Sequence, residues 1–252
     1  MSSGNALLQG KRVVVLGASR GVGREIVERA TTEGARALAV ARGERGLASL
    51  TERGIDTLAL DAASESAPST VFQAAQPDVL VICGGAMPPT SAWTSELTWA
   101  QFAVNWEVDT KMTFLFCREA LRRPLTPGSV VVIVSSGAGL GGSPISGGYA
   151  GAKRMQMFLA KYCQAESDRR ELGIRFIALV PTRIMPETDL GQAAVSGHAQ
   201  HLGVSTEAFI ANMGARLFPA DVARAVFDLV INSPTDAGSI FTVTPDGVAA
   251  VS

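Results

Sequence analysis

A tyrosine and a lysine four positions apart are the clearest sign of chemistry in this sequence. In a helix, Tyr149 and Lys153 would lie one turn apart on the same face. The lysine ammonium would stabilise negative charge on the phenol oxygen, so the phenol could give or take a proton near neutral pH. Ser136 precedes them at the end of an apolar run, where its hydroxyl could polarise a carbonyl oxygen. The alternative is a helix-face Tyr–Lys pair with a capping serine.

Three glycines near the start of the chain lie between a predicted strand, residues 12–16, and a predicted helix, residues 22–32. Glycine allows a tight turn and close approach of the backbone to a pyrophosphate, and the helix start offers free N–H groups to the anion. The pattern predicts a dinucleotide-binding turn, although a tight turn without a ligand would also use glycine. The predicted turn comprises Gly17, Ser19, Arg20, Gly21, Val22 and Gly23.

The residues after the second predicted strand, 37–41, indicate which dinucleotide would bind. An NAD site commonly has an acidic residue there for the ribose 2′-hydroxyl, whereas this sequence has Arg42. Arg42 and Arg20 could face a 2′-phosphate from two sides. Charged hydrogen bonds of about 1.5–3 kcal/mol each would then favour NADP(H) by about tenfold or more. Asp61, after the third strand, could hold the adenine amino group. Otherwise both arginines are ordinary surface residues and Asp61 caps the next helix.

Seven short apolar runs alternate with helical segments along the chain. The runs lack polar alternation, which predicts strands buried on both faces, as in a parallel sheet covered by helices. Repeated strand–helix–strand units predict an α/β fold with a doubly wound parallel sheet. Helices are expected at 22–32, with Gly34 as a left-handed cap, and at 99–121 and 150–171. The seven predicted strands are 12–16, 37–41, 55–60, 79–83, 130–134, 174–180 and 240–243.

The composition restricts the class of protein. Of 252 residues, 47% are hydrophobic, which is enough for a large core and excludes low-complexity disorder. Lysine and arginine number 22 and aspartate and glutamate 23, so no basic excess favours a nucleic-acid partner. No apolar run is long enough to cross a bilayer, and the first ten residues lack the features of a secretory signal. The three scattered cysteines predict a reducing, cytoplasmic location.

We expect one domain over residues 1–252, because the sequence shows no linker, repeat or charge block. The segment 182–214 fits the α/β alternation least well, since glycines and prolines interrupt it. An insertion of this length at the carboxyl ends of the strands is typical of a lid over a binding site. Its apolar residues predict a small-molecule substrate with a hydrophobic part, and they are Met185, Leu190, Phe209 and Met213.

Taken together, these motifs resemble the short-chain dehydrogenase/reductases, in their compact single-domain branch. The resemblance extends over nearly the whole chain, because GASRGVG at 17–23, Ser136, Tyr149 with Lys153, and the terminal Asp246-Gly247 follow the family's order and spacing. It implies a seven-stranded Rossmann sheet and a 4-pro-S-type hydride transfer between a nicotinamide dinucleotide and a carbonyl or alcohol. It also implies that Tyr149 is the acid or base, that Ser136 orients the substrate oxygen, and that Lys153 holds the nicotinamide ribose.

Two departures from the family pattern lie near the expected nicotinamide. The family's Asn-Asn-Ala-Gly after the fourth strand is replaced by ICGG, whose Gly84 and Gly85 still permit close backbone approach to the cofactor ribose. The asparagine expected in the next long helix is replaced by Asp109 rather than by nearby Asn105, unless the register is shifted by one turn. A carboxylate there would accept a hydrogen bond but add a charge near Lys153, which predicts a changed pH profile or slow turnover.

A third departure follows the sixth strand. The family's Pro-Gly is Pro181-Thr182 here, and residues 183–188 follow with altered spacing. The resemblance implies that Pro181 lies beside the cofactor, that Ile184 covers the nicotinamide carboxamide and that Thr188 bonds to it. Many relatives are tetramers packed through helices that correspond to 99–121 and 150–171, so the resemblance also implies a homo-oligomer, a tetramer or a dimer.

Alternatives to an NADP(H)-dependent oxidoreductase are open at this point. The same chemistry could use NAD(H), or the chain could be a non-catalytic dinucleotide-binding regulatory protein, for which the missing asparagines argue. His198 and His201 have a spacing that could present two ligands to a metal. Because no carboxylate or cysteine lies near them in the sequence, we expect a solvated helix or lid surface there and no metal site.

The remaining residues of interest carry weaker signals. Trp93, Trp99 and Trp106, with Met87, are expected in the hydrophobic core by default, and a substrate cleft or a subunit interface is the alternative. Cys83 lies at a strand end near the expected cofactor. Nothing in its sequence neighbourhood marks it as a nucleophile.

Overall fold

The computed structural model describes residues 8–88, 91–232 and 238–251. Its central feature is an eight-stranded sheet in the order β3-β2-β1-β4-β5-β6-β7-β8. The first seven strands pair in parallel, and β8 pairs with β7 in the antiparallel direction. The strands are β1 (Arg12–Leu16), β2 (Arg36–Ala41), β3 (Asp56–Ala59), β4 (Val79–Ile82), β5 (Val130–Val134), β6 (Arg175–Pro181), β7 (Ile240–Thr244) and β8 (Gly247–Ala250).

Helices cover both faces of the sheet, as predicted for a doubly wound fold. Successive side chains of a strand point to opposite faces, so Val13 and Val15 of β1 belong to one hydrophobic cluster and Val14 and Leu16 to the other. The first cluster packs against α1 and α10, and the second against α5 and α7. The helices are α1 (Gly21–Thr32), α2 (Glu44–Glu52), α3 (Ala67–Ala74), α4 (Trp99–Asn105), α5 (Lys111–Arg122), α6 (Ala138–Gly141), α7 (Gly148–Arg169), α8 (Asp189–Leu202), α9 (Thr206–Ala211) and α10 (Pro219–Asn232).

Both edges of the sheet differ from the sequence prediction. An eighth strand, β8, extends the sheet beyond the seven predicted strands, and its four residues are all exposed. At the opposite edge, β3 has exposed residues at both ends and half-buried residues between them. The prediction that every strand is buried on both faces is therefore wrong for β3, because an edge strand has a neighbour on one side only.

The single helix predicted over 99–121 is divided into three parts. α4 ends at Asn105, a π turn covers Trp106–Thr110, and α5 begins at Lys111. A π turn releases backbone groups from the regular α-helical hydrogen-bond ladder and is frequent at functional sites. This one carries Asp109, so the irregularity lies where the sequence analysis places a functional residue.

The connections at the carboxyl ends of the strands form the top of the molecule. The segment 182–214 contains α8 and α9, which contact each other. Gly34 has a φ of +86° after α1, as predicted for a left-handed cap. Across the described ranges, none of the helices is long and apolar enough to span a bilayer. Because all seven parallel strands end at one edge, their loops meet there, where α/β proteins bind ligands.

Candidate active site

The glycine turn after β1 is required by close backbone packing. A Cβ on Gly17 would lie 2.4 Å from the Cα of Gly84, and a Cβ on Gly23 would lie 2.3 Å from the Gly17 carbonyl oxygen. Gly17 and Gly21 also have positive φ angles, +83° and +54°, which glycine adopts at little cost. The turn therefore brings the end of β1, the start of α1 and the loop after β4 into direct contact.

One cleft of about 1140 Å³ lies over the carboxyl ends of the strands. It extends from the glycine turn and Arg42 to Tyr149 and the start of α8. Every residue that the sequence analysis assigned to catalysis or cofactor binding lines this cleft. The fold thus brings together Ser136, Tyr149, Lys153 and Asp109 with Gly17, Ser19, Arg20, Gly21, Val22, Gly23, Arg42, Asp61, Gly84, Gly85, Pro181, Ile184 and Thr188.

The end of β5 positions α7, which carries the tyrosine and the lysine. The buried Ser135 hydroxyl donates a hydrogen bond of 2.7 Å to the backbone carbonyl of Lys153. Ser136 lines the cleft, where its Oγ accepts a 3.2 Å hydrogen bond from the backbone N–H of Ala138. A Cβ on Gly139 would meet the α7 backbone at 2.8 Å. These contacts fix the serine and α7 relative to each other.

The end of the cleft that holds Tyr149 contains a buried ion pair. Lys153 Nζ lies 3.3 Å from Asp109 Oδ2, and the two side chains are 6% and 1% exposed. Lys153 Nζ also lies 5.6 Å from the ring centroid of Tyr149. Burial lowers the pKa of Lys153, but the charges of Asp109, Tyr149 and Cys83 more than offset this effect and raise the pKa above its ordinary value. Lys153 is therefore a stable cation beside the tyrosine.

Hydrogen bonds hold the carboxylate of Asp109 in place. Its Oδ1 accepts bonds from the backbone N–H of Ala86, at 2.8 Å, and from Asn105 Nδ2, at 3.4 Å. Asn105 Nδ2 also donates to the Ala86 carbonyl at 3.0 Å. A Cβ on Gly85 would lie 2.8 Å from Asp109 Oδ2, so only glycine allows this loop to approach the carboxylate. The sequence analysis set Asn105 aside, yet the structure gives it a positioning role.

Side chains from two helices donate hydrogen bonds to a backbone carbonyl of the π turn. The backbone carbonyl of Asp109 accepts hydrogen bonds from Thr113 Oγ1 at 2.8 Å and from Gln156 Nε2 at 3.4 Å. Gln156 Nε2 also donates to Thr113 Oγ1 at 2.9 Å. All three residues are fully buried. Because Gln156 belongs to α7, this network fixes the carboxylate relative to the helix that carries Lys153. The polar residues Thr113 and Gln156 on otherwise apolar helix faces are the sequence signal that could have indicated it.

The other end of the cleft is exposed and rich in arginine. Arg42 follows β2 and is exposed. Arg20 pairs with Asp189, the first residue of α8. Asp61 Oδ1 accepts a 3.0 Å hydrogen bond from the backbone N–H of Ala63, so this carboxylate also orders the turn before α3. The structure thus places both arginines and Asp61 at the predicted adenosine end.

Comparison with known protein families identifies the chain. Residues 11–218 match the family model described as short chain dehydrogenase. The chain belongs to the short-chain dehydrogenase family. It is 32% identical over 194 residues to L-xylulose reductase of Bos taurus, covering 75% of this chain and 77% of that protein. It is also 30% identical over 189 residues to D-erythrulose reductase of Gallus gallus, covering 73% and 74%.

Solved structures of short-chain dehydrogenases share the fold. A 3-ketoacyl-(acyl-carrier-protein) reductase from Brucella melitensis, complexed with NADH, has a TM-score of 0.76 at 20% identity and covers 92% of this chain and 96% of its own. A short chain dehydrogenase from Burkholderia cenocepacia J2315, in complex with NADP, has a TM-score of 0.76 at 21% identity, covering 94% and 98%. The family membership and the two reductase relatives show that this chain is an NAD(P)-dependent oxidoreductase that acts on CH–OH or C=O groups.

The cleft of this short-chain dehydrogenase fits a dinucleotide. Its volume exceeds that of ordinary small-ligand pockets, about 300–1,000 Å³. At one end a glycine turn meets the start of α1, whose free N–H groups suit a pyrophosphate. At the other end the buried Lys153 points its ammonium at the tyrosine ring. Gly84 and Gly85 form part of the wall between these ends, and they add no side chains of their own to the cleft.

The loop after β6 uses its polar groups within the protein. The Thr182 hydroxyl donates to the Val243 carbonyl at 3.1 Å. The Thr188 hydroxyl donates to the Met185 carbonyl at 2.9 Å and accepts from the Gly191 N–H at 3.0 Å, so it caps α8. Its proton is therefore committed, although its oxygen lines the cleft. The contacts of Ile184 and Thr188 with a nicotinamide stay predictions.

The substrate end of the cleft combines apolar and hydroxyl groups. Among the described residues, the lining includes Met185 and Leu190 of the predicted apolar set but neither Phe209 nor Met213. Phe209 instead stacks on His198 at a centroid distance of 5.8 Å. Hydroxyl groups at this end come from Ser91, Ser143, Ser146 and Ser196.

Several weaker predictions have clear outcomes in the structure. The tryptophans are not in the core, because Trp93, Trp99 and Trp106 are 49%, 77% and 39% exposed. Met87 is also exposed and lines the cleft. Burial raises the pKa of the Cys83 thiol to about 11 despite the lowering effect of Lys153, which agrees with the expectation that it is not a nucleophile.

The two histidines lie on the surface helix α8. His198 lines the cleft, and burial, with a smaller effect of His201, lowers its pKa. His201 contacts the ring of Trp93 edge-on at a centroid distance of 4.9 Å. The contact between His201 and Trp93 joins the segment 182–214 to a neighbouring part of the chain, whereas the contact between His198 and Phe209 joins α8 to α9 within the segment.

Proposed function

We propose that this short-chain dehydrogenase is NADP(H)-dependent and reduces a carbonyl, or oxidises a secondary alcohol, with Tyr149 as acid or base. The observation that carries the proposal is one cleft that joins the glycine turn and Arg42 to Ser136, Tyr149 and the Lys153–Asp109 pair. Each of these groups has a task in hydride chemistry. A protein that only binds a dinucleotide has no chemical need for Ser136, Tyr149 and Lys153 together.

The chain's own residues handle the proton and the oxygen of the substrate. When bound, the nicotinamide dinucleotide supplies or accepts the hydride. Ser136 Oγ holds the carbonyl oxygen, and Tyr149 donates its phenol proton to that oxygen during reduction. The Lys153 ammonium stabilises the resulting negative charge on the phenol and binds the nicotinamide ribose. In the oxidative direction the same groups act in reverse.

Asp109 adds a feature to this arrangement. Its carboxylate, fixed by Ala86 and Asn105, holds Lys153 at 3.3 Å and keeps the ammonium charged in a buried position. A buried lysine without this partner would tend to lose its proton. Asp109 thus acts through Lys153 and not on the substrate, and it sets the pH range in which the pair works.

The choice of dinucleotide depends on the exposed end. Arg42 lies where a 2′-phosphate is expected, and the chain has no acidic residue there to bind the ribose 2′-hydroxyl of NAD. Arg20 can reach the same phosphate once it leaves Asp189. These charges support NADP(H) over NAD(H), with Asp61 toward the adenine. NAD(H) is the second candidate.

The substrate, assembly and location are proposed on coarser grounds. Serine hydroxyls and apolar side chains at the substrate end suit a small ketone that carries hydroxyl groups and an apolar part. Two sequence relatives are named L-xylulose reductase and D-erythrulose reductase, which supports the hydroxyketone part of this proposal. Exposed aromatic residues on α4, α5 and α7 support a homo-oligomer, a tetramer or dimer. We also propose one domain with 182–214 as its lid, and a cytoplasmic location, in keeping with three free cysteines.

Transfer of labelled hydride tests the reaction. The protein is incubated with (4S)-deuterated NADPH and a panel of ketones, with hydroxyketones first, and alcohols are analysed by mass spectrometry. The proposal expects one deuterium in the alcohol, and an unlabelled alcohol from the (4R)-deuterated cofactor. Transfer of the 4R label instead, or equal rates with the Tyr149→Phe variant, would contradict it.

A further inference from the structure

An ion pair crosses the mouth of the cleft between two distant parts of the chain. Arg20 precedes α1 in the glycine turn, and Asp189 is the first residue of α8. Both residues line the cleft. The helices also approach each other beside the pair, since a Cβ on Gly21 would lie 3.5 Å from the Thr188 methyl group. The pair therefore joins the dinucleotide-binding turn to the proposed lid.

The two arginines of the exposed end differ in their partners. The carboxylate of Asp189 already neutralises the guanidinium of Arg20. Among the described residues, no acidic side chain forms an ion pair with Arg42, which is exposed. A phosphate that reaches this end would meet one unpaired guanidinium and one that must first give up a carboxylate.

We propose that Asp189 limits the selectivity for NADP(H) by competing with the 2′-phosphate for Arg20. A carboxylate and a phosphate dianion on one guanidinium repel each other and share its single positive charge, so Asp189 weakens the binding of a 2′-phosphate to Arg20. NADPH therefore binds Arg20 against this competition, whereas NADH has no 2′-phosphate and leaves the pair intact. Asp189 is thus a specificity-determining residue, and the inference depends on the proposed NADP(H) preference.

The exposure of the pair limits the size of the effect. Arg20 and Asp189 are 61% and 56% exposed, and exposed ion pairs are weak. Removing the competition should therefore change the ratio of the two cofactor affinities by about two- to fivefold. A change of this size is measurable when both cofactors are titrated into the same preparation.

A double-mutant cycle tests the competition. Dissociation constants for NADPH and NADH are measured by fluorescence titration for the wild type, Asp189→Asn, Arg20→Gln and the double variant. We expect Asp189→Asn to tighten NADPH two- to fivefold more than NADH. In the Arg20→Gln background, the same substitution should leave the ratio of NADPH affinity to NADH affinity unaltered. Glu166 of α7 carries an exposed carboxylate that pairs with Arg170, just after the helix. The Glu166→Gln variant therefore controls for the loss of one negative charge.

Three outcomes would overturn the inference. These are an equal change of both constants in Asp189→Asn, the same change of the ratio in the Arg20→Gln background, and the same change of the ratio in Glu166→Gln. Arg42→Ala separates this inference from the proposed function. If Arg42→Ala lowers the ratio of NADPH affinity to NADH affinity and Asp189→Asn does not raise it, only the role of Asp189 fails. If Arg42→Ala leaves the ratio unchanged, the proposed cofactor preference fails.

Discussion

The two ion pairs of the cleft differ in how far water reaches them. Lys153 and Asp109 are 6% and 1% exposed and lie in a network that includes Asn105 and Ala86. Arg20 and Asp189 are 61% and 56% exposed, and neither side chain has a second ion-pair partner among the described residues. In the first pair, loss of one member leaves an uncompensated buried charge. In the second, water replaces the lost partner.

The difference assigns different tasks to the two ends of the cleft. A buried, hydrogen-bonded pair keeps a fixed geometry and a fixed charge, which an acid–base step requires. An exposed pair can exchange one partner for another at small cost in free energy. Such a pair suits recognition of the 2′-phosphate, which NADP(H) carries and NAD(H) lacks. We therefore expect variants at the buried end to affect rate and stability, and variants at the exposed end to affect cofactor choice.

The largest effect is expected at the tyrosine. Tyr149→Phe removes the proton that reaches the substrate oxygen, so kcat should fall by about 10²–10⁴-fold while NADPH affinity changes little. The chain has two tyrosines, and Tyr162→Phe on the exposed side of α7 is the matched control. If Tyr149→Phe retains wild-type turnover, the buried end does not perform the acid–base step.

Removing the carboxylate of each pair should lower the free energy of unfolding by different amounts. Asp109→Ala leaves Lys153 buried without a partner and should lower the free energy of unfolding by about 3–5 kcal/mol. Asp189→Ala should lower it by less than about 1 kcal/mol. Urea denaturation of both variants measures this difference. Equal losses would show that burial does not distinguish the pairs.

Cofactor selectivity should respond most strongly to the exposed Arg42. Arg42→Ala should weaken NADPH binding by about tenfold, since one charged hydrogen bond contributes about 1.5–3 kcal/mol, and leave NADH binding unchanged. Arg45→Ala, an exposed arginine on the neighbouring α2, is the control. Parallel titrations of both variants measure the effect, and an equal loss for both dinucleotides would remove the 2′-phosphate from the explanation.

The smallest expected effect is a shift of pH dependence in Asp109→Asn. In the wild type the pKa of Lys153 is raised, so the stability that this lysine contributes is complete below its ordinary value of 10.5 and is lost as pH rises through the higher folded value. With asparagine, burial acts without the opposing carboxylate and lowers the pKa of Lys153, so the variant should instead gain stability as pH rises through that lower folded value. Thermal unfolding between about pH 8 and 11 compares the two. Coincident curves would contradict the role of Asp109.

The sequence predicted most of the fold because its signals are local. Apolar runs with β-branched residues, such as Val130–Val134, are strands in the structure, and the glycines at 17, 21 and 23 occupy the predicted turn. Local signals failed at the edges of the sheet. β8 is four exposed residues, and its pairing depends on β7 rather than on burial of its own side chains.

The sequence predicted which residues line the site, but not the hydrogen bonds and ion pairs that join them. Each residue that the sequence analysis assigned to catalysis or cofactor binding lines the cleft, since motif spacing encodes position in the fold. The π turn at Trp106–Thr110 was missed, because the buried carbonyl of Asp109 accepts hydrogen bonds from Thr113 and from Gln156, which lies on another helix. The Arg20–Asp189 pair joins residues far apart in the chain, and no local pattern links them.

Parallel titration of the wild-type protein with NADPH and NADH tests the central claim most directly. The claim is that an exposed arginine end selects the dinucleotide on which the buried Tyr149–Lys153–Asp109 end acts. The account predicts that NADPH binds at least about tenfold more tightly than NADH. Equal affinities, or tighter binding of NADH, would contradict it.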